Sequence, residues 1–319
     1  MIPTRRICCR ADFLRLDAAG VGTLVPGAFA EIPAFGDAMN QTKLAMATRP
    51  IPITGEPLPV IGLGTWRTFD IGDDAATLNR LADVPRLLFA DGGKMIDTSP
   101  MYGRAEAVAG ELIARLHARG SAFLATKVWT TGREAGIQQM RRSAELLRTA
   151  AIDLIQIHNL LDWRTQLSTL RQMKERGQVR YIGITHHTAA ALPALADVIQ
   201  HEQIDFVQLA YSIDSRDAEK RVLPLAADRR VGVIVNRPFG GGGLFGRVRG
   251  RALPPWAAEF DCTSWAQFFL KFIVSNPAVT CVIPATADPG HLSDNLAAGY
   301  GRPPDAAQRQ RMAAYWQSI

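Results

Sequence analysis

The stretches FLATKV (residues 123–128), EAGIQQMRRSAELLRT (134–149) and DLIQIHN (153–159) form one complete unit of the pattern that decides the fold. Two short, nearly continuous apolar runs flank a longer segment whose apolar residues recur every three or four positions. The runs have the length of strands buried on both faces, and the segment between them has the periodicity of an amphipathic helix. Because a parallel crossover needs a dozen or more residues, a helix-sized connection favours parallel strands. The stretch therefore predicts a β-α-β unit.

The same alternation continues in both directions along the chain. Eight strand-sized runs are present: LPVIGLG (58–64), KMIDT (94–98), FLATKV (123–128), DLIQIHN (153–159), VRYIGIT (179–185), FVQLAYS (206–212), GVIVNR (232–237) and AVTCVIPAT (278–286). Helix-sized segments follow at 73–89, 105–117, 134–149, 165–176, 189–200, 218–227, 264–275 and 289–298. Eight α/β units predict a single-domain (β/α)8 (TIM) barrel. We expect IPITGEP, residues 51–57, to form a hairpin or turn that closes the barrel bottom.

A doubly wound nucleotide-binding sheet is the competing α/β fold. That fold requires a G-x-G-x-x-G turn between its first strand and the following helix. The corresponding segment here, GLGTWR (62–67), lacks the third glycine, and no helix-sized pattern follows it immediately. The barrel is therefore the predicted fold for residues 51–319.

Residues 1–50 differ from the rest of the chain, and we interpret them as a leader-like or disordered extension. Residues 13–30 are moderately apolar, follow arginines and end in A-F-A, a pattern typical of a cleavage site. The segment resembles a twin-arginine export leader, although Arg10 is followed by alanine and an acidic residue interrupts the apolar region. A functional leader predicts a periplasmic protein. A decayed leader, or a true start at Met39 or Met46, predicts a cytoplasmic one.

The composition is that of a soluble globular enzyme, with 47% hydrophobic and 21% charged residues. No uninterrupted apolar run reaches the length of about 18 residues that a membrane span needs. The net charge is +6, but no block of lysine and arginine is longer than two residues, so we predict neither a nucleic-acid nor a membrane partner. The four cysteines have no metal-ligand or disulfide spacing, and no metal is predicted. The sequence leaves the oligomeric state open.

Four polar side chains lie at or just beyond the ends of three successive strand runs. Asp97 lies near the end of the second run, Tyr102 follows five residues later, Lys127 lies near the end of the third run, and His158 near the end of the fourth. In a barrel, the carboxyl ends of the strands converge on one mouth. Singly, these residues could be a turn cap, a packing aromatic, a rim lysine and a core histidine. Their placement on consecutive strands favours a catalytic group.

The chemistry of the four side chains suits addition of a hydride to a carbonyl. A tyrosine hydroxyl can donate a proton to a carbonyl oxygen, and a neighbouring ammonium lowers the pKa of that hydroxyl. A carboxylate beside the lysine compensates the burial of the ammonium. A histidine can hydrogen-bond the carbonyl oxygen and orient it. We therefore predict that Tyr102 delivers the proton.

With these residues in view, the chain resembles the aldo-keto reductases. Motifs of that family follow one another over residues 57–300, and they read GLGTW, IDTSPMYG, TKVW, DLIQIHN, GIT and IPATADPGHLSDNL. The resemblance implies a (β/α)8 barrel and NAD(P)H-dependent reduction of an aldehyde or ketone to an alcohol, in either direction. It also implies the tetrad Asp97, Tyr102, Lys127 and His158, with Tyr102 as general acid. NADPH is the implied cofactor, and NADH is the alternative.

The resemblance also implies which residues hold the cofactor and the substrate. The cofactor residues lie in or after the first, fifth, sixth, seventh and eighth strand runs. They are Gly64, Thr65, Trp66, Thr185, His186, Gln208, Asn236, Arg237, Pro238, Phe239, Gly240, Gly242, Leu244, Pro284, Thr286, His291 and Asn295. Trp66 and Trp129 are expected to line an apolar pocket for a small carbonyl substrate; the alternative is that each packs at the barrel rim.

The cofactor region departs from the family pattern at several positions. Ala285 and His291 replace the lysine and arginine of the pocket for the 2′-phosphate, whereas Thr286 and the N–H groups of the following helix can still favour an anion. Asn236 replaces the aromatic residue that stacks on the nicotinamide in many members of the family, and His186 replaces the family's asparagine. These departures keep two other functions open. One is a catalytically weak nicotinamide-binding redox sensor or regulatory subunit, and the other is a different barrel enzyme such as an isomerase.

Overall fold

The computed structural model describes residues 45–72 and 74–319, and it begins with a short hairpin. Strand β1 (Thr48–Pro50) pairs antiparallel with β2 (Pro57–Pro59). Ile51, which follows β1, and Leu58, in the middle of β2, are buried in the cluster that fills the barrel interior. The predicted hairpin at the barrel bottom is therefore confirmed.

The predicted domain boundary at residue 50 falls inside this hairpin. Met46 is buried in the main core, and the amide of Ala47 donates to the carbonyl of Gly299 at 2.8 Å. The folded body therefore includes residues that precede the predicted boundary. The leader-like segment, residues 13–30, lies outside the described residues, and both it and the cellular compartment stay predictions.

Eight parallel strands form the barrel wall in chain order. They are β3 (Leu63–Gly64), β4 (Met95–Asp97), β5 (Phe123–Val128), β6 (Ile152–His158), β7 (Val179–His186), β8 (Phe206–Ala210), β9 (Gly232–Asn236) and β10 (Cys281–Val282). The wall closes because Gly62 and Gly64 donate their amides to the carbonyls of Val282 and Pro284, at 2.8 and 3.0 Å. The predicted (β/α)8 barrel is confirmed.

Glycine is required where the barrel closes. A Cβ atom on Gly64 would lie 2.9 Å from the carbonyl oxygen of Ile283, closer than side-chain atoms pack against backbone. The predicted first strand, 58–64, is also divided: its first two residues belong to β2, and only Leu63 and Gly64 belong to the wall. The division follows from the hairpin, since Leu58 pairs with Arg49 across β1 and β2.

Helices pack around the wall and bury its outer face. They are α1 (Ala75–Leu81), α2 (Asp83–Ala90), α3 (Ala105–Arg115), α4 (Arg133–Leu146), α5 (Trp163–Glu175), α6 (Leu192–His201), α7 (Val222–Asp228), α8 (Gly243–Arg247), α9 (Trp265–Val274), α10 (Pro289–Ala297) and α11 (Ala306–Ser318). The predicted helix at 73–89 is two helices, α1 and α2. Helix α11 packs on the barrel, since its Met312 and Trp316 are buried in the main core. No helix in the described ranges is long and apolar enough to cross a membrane.

Period-two alternation places the interior core below the predicted catalytic residues. Met95, Ala125 and Leu154 belong to the interior cluster. Each precedes a polar residue by two positions on its own strand: Asp97, Lys127 and Gln156 respectively. Residues two apart on a strand share a face. The polar residues therefore point into the barrel at its carboxyl end, above an apolar floor.

Candidate active site

Lys127 on β5 is the central charge of the site, and it is almost fully buried, at 1% exposure. Its Nζ donates to Oδ1 of Asp97 at 2.7 Å and to the carbonyl oxygen of Thr98 at 2.6 Å. Burial by itself lowers the pKa of Lys127, but the negative charge of Asp97, with Tyr102 and Glu106, raises it above the ordinary value. Lys127 is therefore a buried ammonium ion.

Asp97, the last residue of β4, has a second partner that the sequence analysis missed. Nε2 of Gln156, on β6, donates to the other carboxylate oxygen of Asp97 at 3.3 Å. Gln156 pairs in register with Lys127 on the neighbouring strand. The signal for Gln156 was present, because it lies two residues before His158 and so faces the same side of the strand. Both oxygens of this buried carboxylate are thus hydrogen-bonded.

The loop after β4 holds Tyr102 beside the ammonium. The Tyr102 amide donates to the carbonyl of Ser99 at 3.0 Å, and the amide of Arg104 donates to the carboxylate of Asp70 at 2.9 Å. Gly103 between them has a left-handed backbone, with φ of 59°, and a Cβ there would overlap Asp70. This turn places the ring of Tyr102 with its centroid 5.3 Å from Nζ of Lys127.

Lys127 was expected to lower the pKa of Tyr102, but the net shift in the structure is upward. Burial raises the pKa of this phenol above its ordinary value. The nearby ammonium of Lys127 lowers it, as predicted, but does not outweigh the burial, and Asp97 raises it further. Tyr102 is therefore a protonated phenol at neutral pH, which is the form that a proton donor needs.

His158 ends β6 and faces Tyr102 edge to face, with ring centroids 6.1 Å apart. Its Nδ1 lies 3.2 Å from Oγ of Ser99. Burial, then the positive charge of Lys127 and the neighbouring histidines His187 and His186, lower the pKa of His158 to about 3. The imidazole is neutral at physiological pH. The four residues of the predicted tetrad therefore lie together at the barrel mouth.

Two buried polar atoms without a protein partner lie beyond the tetrad, on β8 and β9. Gln208 is oriented by Thr185, whose Oγ1 donates to Oε1 of Gln208 at 3.0 Å, and this leaves Nε2 of Gln208 unpaired. Oδ1 of Asn236 is unpaired as well. One free donor and one free acceptor complement a primary carboxamide, which offers one acceptor and two donors. Because a buried polar group without a partner costs about 1–3 kcal/mol, this pair suits a ligand such as a nicotinamide.

A family model described as the aldo/keto reductase family matches residues 60–315. The chain belongs to the aldo/keto reductase family. The fold and the reductase assignment that the motifs implied are thereby confirmed. Within the described residues, no cluster of three or more histidine, cysteine, aspartate or glutamate side chains could hold a metal ion.

Two curated relatives of this aldo/keto reductase are named for the same small carbonyl compound. Methylglyoxal reductase YeaE of Escherichia coli K12 is 28% identical over 247 residues, covering 75% of this chain and 85% of the relative. The NADH-specific methylglyoxal reductase of the same organism is 27% identical over 309 residues, covering 78% and 92%. An aldo-keto reductase of Klebsiella pneumoniae, solved in complex with NADPH, superposes with a TM-score of 0.72 at 21% identity, covering 86% of this chain and 96% of that one.

The loop after β9 has an unusual backbone in this aldo/keto reductase. Arg237 has a left-handed backbone, with φ of 50°, and Gly240, Gly241 and Gly242 follow with φ of 59°, 69° and 96°. A side chain on Gly241 would lie 3.1 Å from the guanidinium of Arg237. The guanidinium carbon lies 6.0 Å from the Trp66 ring centroid, across the mouth. Leu244 is buried in the main core, so it anchors the loop.

The N-terminus of α10 contradicts one expectation about the cofactor pocket. Its first N–H groups were expected to be unpaired and to favour an anion. Instead the side chain of Asp288, the N-cap residue, accepts the amide of His291 at 2.8 Å. The Asp288 amide in turn donates to Oγ1 of Thr286 at 3.0 Å. A carboxylate therefore occupies the helix end where the predicted pocket places the cofactor's 2′-phosphate.

Four of the other predicted residues lie on or just after strands β3, β5 and β7. Thr65 is buried, and its Oγ1 donates to the carbonyl of Asp97 at 3.1 Å. His186 stacks on His187 with ring centroids 5.5 Å apart. Trp129 is 42% exposed, and its ring centroid lies 6.4 Å from that of His158. Trp66 is 40% exposed. The exposed tryptophans give the mouth an apolar rim.

Proposed function

We propose that this aldo/keto reductase catalyses the reversible, NAD(P)H-dependent reduction of an aldehyde or ketone to an alcohol, with Tyr102 as the proton donor. The observation that carries the proposal is the protonated phenol of Tyr102 beside the buried ammonium of Lys127, at 5.3 Å from ring centroid to Nζ. When bound, the reduced nicotinamide supplies the hydride. Relatives named as methylglyoxal reductases support a small carbonyl substrate.

The protonation states divide the catalytic roles. His158 is neutral, so it can donate a hydrogen bond to the carbonyl oxygen and orient it, but it has no acidic proton to transfer. Tyr102 is protonated and transfers its proton to the developing alkoxide. Lys127 then stabilises the phenolate, and Asp97 keeps Lys127 charged and in place. In the direction of alcohol oxidation, the same phenolate accepts the proton.

The cofactor residues support a nicotinamide nucleotide. Gln208 and Asn236 offer the carboxamide partners, and Thr185 fixes the orientation of Gln208. Arg237 and the glycines at 240–242 present positive charge and close-approaching backbone, which suit a diphosphate. We propose NADPH as a cofactor, and NADH as a second one, because Asp288 opposes the extra phosphate. The apolar rim of Trp66 and Trp129 would contact the carbon skeleton of the substrate.

Steady-state oxidation of NADPH and NADH with a panel of aldehydes and ketones, methylglyoxal included, tests the proposal. Tyr102→Phe removes only the hydroxyl, so the rate should fall about 10²–10⁴-fold while nicotinamide binding, followed by fluorescence, is retained. Tyr315→Phe is the matched control: Tyr315, on α11, is partly buried with its ring against Trp256 and Trp265, and its substitution should leave the rate at the wild-type value.

Three outcomes would overturn parts of the proposal. An unchanged rate in Tyr102→Phe would refute the role of Tyr102. Tight cofactor binding without reduction of any carbonyl would favour the redox-sensor alternative, for which the replacement of the stacking aromatic by Asn236 is the supporting observation. Absence of nicotinamide binding would indicate a different barrel enzyme.

A further inference from the structure

Ser99 contacts the catalytic histidine, His158, and the local sequence does not predict this contact. It follows β4, is fully buried, and has its Oγ 3.2 Å from Nδ1 of His158, 59 residues further along the chain. The amide of Met101 points at the same oxygen, at 3.4 Å. The amide uses Ser99 Oγ as an acceptor. The hydroxyl then still has one proton to donate and one lone pair to accept with.

The hydrogen bond has one arrangement that leaves no buried donor unpaired. If Nδ1 of His158 carried the proton and donated it to Ser99, the serine hydroxyl would need another acceptor, and the described part of the chain provides none. A buried donor without a partner costs about 1–3 kcal/mol. The serine therefore donates to Nδ1. Because the ring carries a single proton at neutral pH, that proton is on Nε2.

The second ring nitrogen is free to meet a ligand. His158 keeps 7% of its surface exposed. Its Nε2 has no hydrogen-bond partner among the described residues, and it is not fully buried. The rings of Tyr102 and Trp129 flank the imidazole with centroids at 6.1 and 6.4 Å. Nε2 thus opens toward the mouth, beside the phenol.

We propose that Ser99 is a positioning residue that holds His158 in the Nε2–H tautomer, so that a neutral imidazole presents a donor to the carbonyl oxygen of the substrate. With the other tautomer, Nε2 would present a lone pair to that oxygen and repel it. Ser99 acts through His158 and touches no substrate. The inference depends on the proposed function only for the use made of this donor; the tautomer itself is a property of the unliganded protein.

Nuclear magnetic resonance of the full chain labelled with ¹⁵N-histidine tests the tautomer without turnover. The chain has six histidines, and the signals that disappear in His158→Gln identify His158. We expect a protonated Nε2 and an unprotonated Nδ1 in the wild type, and a mixture of both tautomers in Ser99→Ala. Ser212→Ala is the matched control. Ser212 is also buried and its Oγ also accepts a nearby amide, that of Ser215 at 3.1 Å, but no histidine is among its partners in the described structure.

The kinetic consequence is measured on the same variants. Losing one neutral hydrogen bond that favours the productive tautomer should lower kcat/KM for the carbonyl about two- to tenfold in Ser99→Ala, with cofactor affinity unchanged. Ser99→Thr, which restores a hydroxyl, should recover the tautomer and the rate together. Ser212→Ala should change neither.

The outcomes separate this inference from the proposed function. A wild-type His158 with its proton on Nδ1, or a tautomer that does not change in Ser99→Ala, would overturn the role of Ser99 whatever the activity. The expected tautomer and its loss in Ser99→Ala, in a protein that reduces no carbonyl, would support the role of Ser99 in fixing the ring and overturn the proposed function alone.

Discussion

Removing Asp97 and Lys127 together should cost less unfolding free energy than the sum of the costs of removing each one alone. Lys127→Met leaves the carboxylate of Asp97 buried without its cation, and Asp97→Leu leaves the ammonium of Lys127 buried without its anion. Each single variant therefore keeps a charge that the fold no longer compensates. The double variant keeps neither charge, and its apolar side chains extend the floor formed by Met95 and Ala125.

The geometry sets the size of the effect. With Nζ and Oδ1 separated by 2.7 Å, two unit charges attract by about 6 kcal/mol at an effective dielectric constant of about 20. Part of this is retained in the single variants, because Gln156 still donates to Asp97 and the carbonyl of Thr98 still accepts from Lys127. We therefore expect each single variant to lose about 3–5 kcal/mol of unfolding free energy. The double variant should lose less than the sum, by a coupling of about 2–3 kcal/mol.

Urea unfolding of the four proteins, followed by tryptophan fluorescence and circular dichroism, measures this cycle. Lys220→Met is the control, because Nζ of Lys220 lies at the same distance of 2.7 Å from Asp217, but their side chains are 79% and 55% exposed. Water compensates such a pair, and the control should unfold with the wild type. Additive losses in the double variant, or a single variant as stable as the control, would refute the assignment of Lys127 as a buried, paired ammonium.

Two further predictions concern pH and cofactor choice. Between pH 6.5 and about 3 the unfolded chain binds a proton at His158 that the folded chain does not. The free energy of unfolding therefore decreases as the pH is lowered through this window. His158→Gln should flatten that fall in urea unfolding, whereas an unchanged slope would contradict the low pKa of His158. Asp288→Asn keeps a good N-cap but removes a charge. KM for NADPH should fall about two- to fivefold relative to KM for NADH, and equal changes would place the 2′-phosphate elsewhere.

Sequence alone predicted the wall and the tetrad because both depend on strand periodicity. A run of buried residues fixes which side chains face inward, and the parallel register fixes their level. Asp97, Lys127 and His158 needed no further information. For the fourth member, Tyr102, strand periodicity predicted only a place just beyond β4, since its exact position depends on a turn at Gly103 that is held by Asp70. The same turn carries Ser99, whose partner is 59 residues away, and no local pattern reports such a contact.

Net pKa values were harder to predict than positions. Lys127 lowers the pKa of Tyr102, as its charge predicts, but sequence does not give the size of that effect relative to burial. In the structure burial is the larger contribution, and the phenol is harder to ionise than free tyrosine. The difference matters for the mechanism. In the mechanism we propose, Lys127 would stabilise the phenolate after proton transfer rather than create one beforehand.

The cofactor side shows why loops resist the same reasoning. The proposed cofactor site includes the left-handed backbone at Arg237 and Asp288, whose carboxylate caps α10. The cap had a local signal, since an aspartate followed by proline is typical of a helix start. The resemblance directed attention to Ala285 and His291 instead, where cations are missing. If the 2′-phosphate binds at this helix end, the carboxylate of Asp288 would repel it, in addition to the missing cations at Ala285 and His291.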